Sequence, residues 1–154
     1  AYGSFTVDKD GNWTFTLNNS ANAVQSLKAG EAVNQTFQVE SLDGTTSTVT
    51  ITINGTNDGA VIGAGAGDKN TGSVTEDVTL TSSGKLTVTD VDNGQAELKP
   101  ATVTNAYGSF TVDKDGNWTF TLDNSAAAVQ GLAAGQTVPL QFQVESLDGT
   151  TSTV

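Results

Sequence analysis

Tyr2-Gly3-Ser4-Phe5-Thr6-Val7-Asp8-Lys9-Asp10-Gly11-Asn12-Trp13-Thr14-Phe15-Thr16-Leu17 spells out a β-hairpin. Phe5 and Val7 share one face, and so do Trp13, Phe15 and Leu17, with Thr14 and Thr16 opposite; this is the period-two alternation of half-buried strands. Asp8-Lys9-Asp10-Gly11 is the connection, with Gly11 supplying a positive φ. The same hairpin returns unchanged as Tyr107–Leu122.

Working outward from the hairpin, residues 1–49 and 106–154 align without a gap at an offset of 105, with 40 of 49 positions identical. All nine differences fall between residues 18 and 36. A 105-residue unit is far longer than the ~20–50 residues of a solenoid repeat, so each unit can own a core and the units are joined like beads. The alternation continues in Val49, Ile51 and Ile53, in Leu140, Phe142 and Val144, and in Leu86 and Val88. It breaks at Asn124–Leu132, where an Asn-Ser start and an Ala run predict a short helical turn ended by Gly135. Roughly seven strands per repeat predict an all-β Greek-key β-sandwich of immunoglobulin/cadherin-like type. The Trp and Phe residues are expected in its core. An exposed sugar-stacking platform at Trp13 or Trp118 is the alternative, and the shared parity of Phe15 and Leu17 argues for the interior.

Asn54-Gly55-Thr56-Asn57-Asp58-Gly59 is expected to be the joint between copies. On that division residues 1–59 are the closing half of one repeat, with its opening half missing. Residues 60–154 are a second repeat that lacks the counterpart of Thr50–Ile53. Two closing halves compete for one opening half. The orphan half is therefore expected to pack on neighbouring repeats of a longer array, or to be complemented by half a domain from another molecule.

Composition narrows the functions. With 17 Asp plus Glu against six basic residues, the net charge is -11. That balance repels nucleic acid and anionic membranes and favours cations and solubility. No apolar run approaches the ~20 residues of a bilayer span. Without His or Cys there is no Ser-His or Cys-His pair, no imidazole metal ligand and no disulfide. A carboxylate pair could cleave glycosides, but every acid lies in a turn or joint, so no enzyme is expected. Gly63–Gly67 lacks the strand and helix of a phosphate loop and is expected to be a flexible or extended linker strand.

Asp90 and Asp92 lie two apart where a strand ends, in Thr89-Asp90-Val91-Asp92-Asn93-Gly94. Alternation aims both carboxylates the same way. Either they fan into water, or a hard cation fills the gap with oxygen ligands. An EF-hand loop is excluded, because Gly94 comes one place early and Ala101 stands where the bidentate Glu belongs. The same test fails for Asp8–Gly11 and Asp113–Gly116, which are expected to be solvated turns.

Thr75-Glu76-Asp77, Thr89–Gly94, Glu145-Ser146-Leu147-Asp148-Gly149 and Asn57-Asp58 resemble, in this order, the Ca2+ motifs of cadherin repeats. The chain is still more similar to bacterial relatives, the VCBS-type repeats of large RTX adhesins. Their opening, hairpin, helical-turn and closing patterns correspond to Thr75–Asp77 with Leu86–Gly94, Tyr107–Leu122, Ala128–Gly135 and Phe37–Asp58. The resemblance implies that Asn57, Asp58, Asp90, Asp92 and Asp148 hold Ca2+ at one joint. Glu76 and Asp77 would serve the next joint and Asp43 an earlier one. The cadherin Leu-Asp-Arg-Glu element survives only as its start in Leu122-Asp123, with Asn18 replacing the Asp in the first copy, so fewer or weaker ions are expected. The implied role is a Ca2+-rigidified extender of a secreted adhesin at the bacterial cell surface. A carbohydrate- or surface-binding module is the alternative.

Overall fold

The computed structural model describes all 154 residues. The chain divides into two compact units, Ala1–Asp58 with Val91–Asn93, and Gly59–Asp90 with Gly94–Val154.

In the first unit, β1 (Gly3–Val7) and β2 (Trp13–Leu17) form the expected hairpin, with Phe5 opposite Phe15 and Val7 opposite Trp13. The Asp8 carboxylate closes the turn by accepting the N–H groups of Asp10 and Asn12, both at 2.9 Å. These hydrogen bonds, the Asn12 side chain's first, hold its pKa below the ordinary carboxylate value. A single helical turn, α1 (Asn22–Gln25), leads into a long hairpin of β3 (Ala32–Glu40) and β4 (Thr46–Asn54). Phe37 of β3 stacks on Phe5 of β1, with centroids 4.5 Å apart and planes 6° apart, so the two hairpins lie face to face. Val24, Leu27 and Ile53 are the buried apolar residues of this unit.

The second unit contains β5 (Val61–Ile62), β6 (Thr81–Lys85), β7 (Val88–Thr89), β8 (Ala101–Asn105), β9 (Gly108–Val112), β10 (Asn117–Leu122), α2 (Ala127–Gln130), β11 (Gln143–Glu145) and β12 (Thr151–Thr153). Its main sheet has the antiparallel order β6-β10-β9-β8, while β11 pairs β12 and β5 pairs β7. Three consecutive hairpin strands with an earlier strand laid beside the last are the Greek-key arrangement. Leu86, Leu98, Phe110, Val112, Trp118, Phe120, Phe142 and Val144 form the core. Phe110 and Phe142 repeat the stack of the first unit at 4.5 Å and 3°. Trp118 satisfies its one polar group by donating Nε1–H to the Lys69 carbonyl at 2.7 Å. The fold is the expected all-β sandwich.

Four local expectations need correction. The helical turn begins at Ala127 after an Ala126 cap that makes no side-chain bond, and ends at Gly131 rather than Gly135. Asn124 does not cap it because its side chain is engaged with Asp77. The strand expected to start at Leu140 pairs in β11 only from Gln143, although Phe142 and Val154 exchange N–H bonds at 2.9 Å. Gly63–Gly67 is not a flexible linker. The Asp68 carboxylate gathers the N–H groups of Gly65 and Thr87 and the Thr87 hydroxyl, each at 2.8 Å. A Cβ on Gly65 would lie 2.2 Å from the Thr87 Oγ1, so this close approach requires glycine. Finally, Trp13 is not interior: it is 49% exposed, against 2% for Trp118. In the second unit β6 crosses over that ring, and the first unit has no equivalent strand.

Candidate functional site

In the first unit, the joint residues start from the last pair of the long hairpin, Ala32 with Asn54. Gly55 then donates its N–H to the Glu31 carbonyl at 2.8 Å. A Cβ there would sit 2.3 Å from the Leu27 carbonyl oxygen, so only glycine lets the strand leave this close to α1. The Asn57 side chain donates to the Asp58 carbonyl at 2.9 Å. Asp92 is 2% exposed, and its Oδ2 accepts the Asp58 N–H at 2.8 Å. Asn93 N–H bonds the Ser26 carbonyl at 3.2 Å in the same unit. The structure therefore brings the Asp58 backbone and the Asp92 carboxylate together within the first unit. An ionised carboxylate buried this deeply is costly unless its charge is neutralised.

Asp43 lies in the Ser41–Thr45 turn at the opposite end of that hairpin, roughly 27 Å away at the rise of an antiparallel strand. The Ser41 hydroxyl donates to its carboxylate, as does the Thr45 N–H at 3.0 Å. These bonds, Ser41's first, lower its pKa to about 2. Asp43 thus sits apart from Asp58.

The second unit has its own acidic end. Asp148 occupies the turn of β11 and β12 and accepts the Ala60 N–H at 3.1 Å, the Thr150 N–H at 3.0 Å and the Thr150 hydroxyl at 2.9 Å. The Ser146 hydroxyl donates to its other oxygen. Burial by itself would raise the Asp148 pKa, but the Ser146, Thr150 and Ala60 donors more than offset it and hold it well below the ordinary carboxylate range. Asp90 directly follows β7 and is half-buried.

Glu76 and Asp77 occupy the loop between Thr75 and Thr79. The register separates them from Asp148: Thr81 of β6 pairs Thr121, whereas Lys85 pairs Asn117 at the other end of β10. Leu98 there bonds Lys114 and bridges to Ser146. Asp77 has a left-handed backbone (φ 59) and is clasped by Asn124, which accepts its N–H at 2.9 Å and donates to its carboxylate at 2.8 Å. Neither unit by itself gathers three acidic side chains into a metal-binding cluster.

Two structural features escaped the sequence reading, the Asp68 carboxylate with its donors and the clasp of Asp77 by Asn124. Asp68 follows a Gly-rich run, and an acid placed to receive the bare N–H groups of such a run is the signal that could have marked it. The clasp joins residues 47 positions apart, and no local pattern announces it.

A Greek-key sandwich of about 100 residues with acids at both ends, Asp148 at one and Asp77 at the other, falls within the immunoglobulin/cadherin-like class of β-modules. Residues 57–154 match the family model of the bacterial cadherin-like domain, and the chain belongs to that family. The match opens at Asn57, inside the hexapeptide read as the joint. A comparison with curated proteins finds no match. Modules of the matched family are structural and adhesive rather than catalytic. No helix of the chain is long and apolar enough to cross a membrane.

Proposed function

We propose that this chain is a stalk segment of a secreted bacterial adhesin of the VCBS and RTX kind, in which Ca2+ at domain joints sets the stiffness of a tandem array. The observation that carries the Ca2+ part is the bond from the Asp58 N–H to the buried Asp92 carboxylate. It joins a residue of the joint hexapeptide to one of the paired acids that leave the β7 strand. The donor chemistry fits a hard cation. Asn57, Asp58, Asp90, Asp92 and Asp148 offer only oxygen, which suits Ca2+ and not zinc or copper. These five would supply ligands at one joint; Glu76 with Asp77, and Asp43, would supply others. Sites of this kind in extracellular modules bind at roughly 10^-4–10^-3 M, which suits a protein outside the cell. Ca2+ bound only in the ordered joint, at ~100 times Kd, would stabilise it by about 2.7 kcal/mol. The spacer role itself draws on near-identical consecutive copies in a family of structural modules.

A glycan-binding role finds less support. Trp118 is buried and spends its N–H on the Lys69 carbonyl. Trp13 repeats that residue in a copy of the same hairpin, and its 49% exposure goes with the lack of a strand equivalent to β6 in the first unit.

The test is calorimetric titration of the chain with Ca2+, together with small-angle scattering and thermal unfolding in Ca2+ and in chelator. Saturable binding, a longer particle and a raised midpoint in Ca2+ are expected, and Asp92→Ala should remove all three while the circular dichroism stays β. Equal lengths and midpoints in Ca2+ and chelator would show that the ion does not stiffen the joint.

A further inference from the structure

The chain contains two Asn-Gly dipeptides, Asn54-Gly55 and Asn93-Gly94, and the fold treats them in opposite ways. Glycine after asparagine matters chemically. With no Cβ in the way, its backbone nitrogen can swing onto the side-chain amide carbon of the asparagine. That step needs a nitrogen not held in a hydrogen bond, and room for the chain to turn.

Asn54 has neither. It is the last residue of β4 and pairs with Ala32. The Gly55 N–H is spent on the Glu31 carbonyl at 2.8 Å. The backbone there is enclosed, since an added Cβ would lie 2.3 Å from the Leu27 carbonyl oxygen and 2.4 Å from that of Lys28. Asn93 has both. It is exposed and lies in a turn outside every strand, with only its own N–H anchored, on the Ser26 carbonyl at 3.2 Å. The Gly94 N–H donates to no backbone carbonyl, and nothing lies within 4 Å of the place a Cβ would take.

We propose that Asn93 is a site of spontaneous deamidation, with water as the only co-reactant, and that the fold protects Asn54. The Gly94 nitrogen gives its proton to solvent and bonds to Cγ of Asn93. The Cγ–Nδ2 bond breaks, and Nδ2 takes up a proton and leaves as ammonia. Water then opens the resulting cyclic imide at one of its two carbonyls. Breaking the new bond to Cγ leaves aspartate in an ordinary chain. Breaking the bond at the main-chain carbonyl leaves isoaspartate, with the chain running through the side chain. The sum is amide plus water giving acid plus ammonia, with nothing oxidised or reduced. Each conversion adds one negative charge to a chain already at -11, directly after the buried Asp92. A new anion beside Asp92 repels it, so the change is electrostatic and accumulates with the age of the molecule.

The test incubates the intact chain in mildly alkaline buffer and follows it by peptide mapping with mass spectrometry, isoaspartyl methyltransferase labelling and ammonia release. Position 93 should lose its amide about tenfold faster than position 54, the factor that opening one backbone hydrogen bond imposes. In the urea-unfolded chain the two rates should converge, because the dipeptides are the same. Asn93→Gln keeps an amide on an exposed side chain but requires a larger ring. It should stay folded by circular dichroism and lose most of the ammonia release. Loss at position 54 equal to or ahead of that at 93 in the native chain would overturn the inference. So would a native rate at 93 far below its rate in urea, or ammonia release undiminished by Asn93→Gln.

Discussion

The hairpin pairs of the two units are nearly superposable in their contacts and opposite in their burial. Phe5 lies 4.5 Å from Phe37 and 6.1 Å from Trp13; Phe110 lies 4.5 Å from Phe142 and 6.1 Å from Trp118. The ladder registers of β1 with β2 and of β9 with β10 are identical residue for residue. Yet Trp13 is 49% exposed where Trp118 is 2% exposed. Local sequence therefore determines the hairpin, its turn and its aromatic stack, because those contacts are made within the closing half. Burial is supplied by the opening half through β6 and β8. The two properties come from different stretches of chain.

Removing the tryptophan ring should break this symmetry most sharply. Trp118→Ala deletes a fully packed ring and should cost about 3–5 kcal/mol. Trp13→Ala removes a ring with one face in water and should cost about 1 kcal/mol. Amide hydrogen exchange separates the units, since β9 and β10 report one and β1 and β2 the other. Equal losses of protection in the two units would mean that cover by the opening half adds no stability.

A smaller effect is expected at Asp68, which belongs to the opening half and has no counterpart in the first unit. Asp68→Ala orphans the N–H groups of Gly65 and Thr87 and should cost about 1–3 kcal/mol. Only the second unit should feel it. If exchange in β1 and β2 accelerates equally, the two units unfold together and the comparison between them must be redrawn.

These contrasts explain what could be read from the residues. The repeat, the hairpins and the all-β class were legible because period-two alternation and the offset of 105 are properties of sequence alone. Trp13 was misplaced because parity reports which face a side chain takes, and says nothing of whether a partner covers that face. Asn124 looked like a helix cap, and only the fold could show that Asp77 claims its side chain. Gly63–Gly67 looked loose because glycine permits many conformations; the Asp68 carboxylate selects one. For the joint, the spacing of Asp90 and Asp92 was visible. The bond from Asp58 N–H to Asp92 required the strand to exit at Gly55, where backbone packs against the Leu27 carbonyl.

The finest test compares one turn in two settings. Ser-Leu-Asp-Gly-Thr occurs at 41–45 and at 146–150 with the same internal bonds: the Ser hydroxyl and the N–H two residues on both donate to the Asp. The threonine side chain also lowers both carboxylates, and the second copy adds the Ala60 N–H. Both carboxylates titrate below the ordinary value of 3.8, Asp43 at about 2 and Asp148 lower still. A depressed pKa means that the folded state favours the anion. Its stabilisation is complete above the unfolded value near 3.8 and is lost as pH falls through the folded value. The β3–β4 turn should therefore loosen between pH 3.8 and about 2, and the β11–β12 turn only at lower pH. Carboxyl carbon NMR titration measures both midpoints in one sample. Ser41→Ala and Ser146→Ala should each move their own aspartate up towards 3.8, with Asp148 moving proportionately less because Ala60 still donates. Coincident midpoints in the native chain would mean that the Ala60 bond adds nothing to the turn, and that the two copies differ in burial alone.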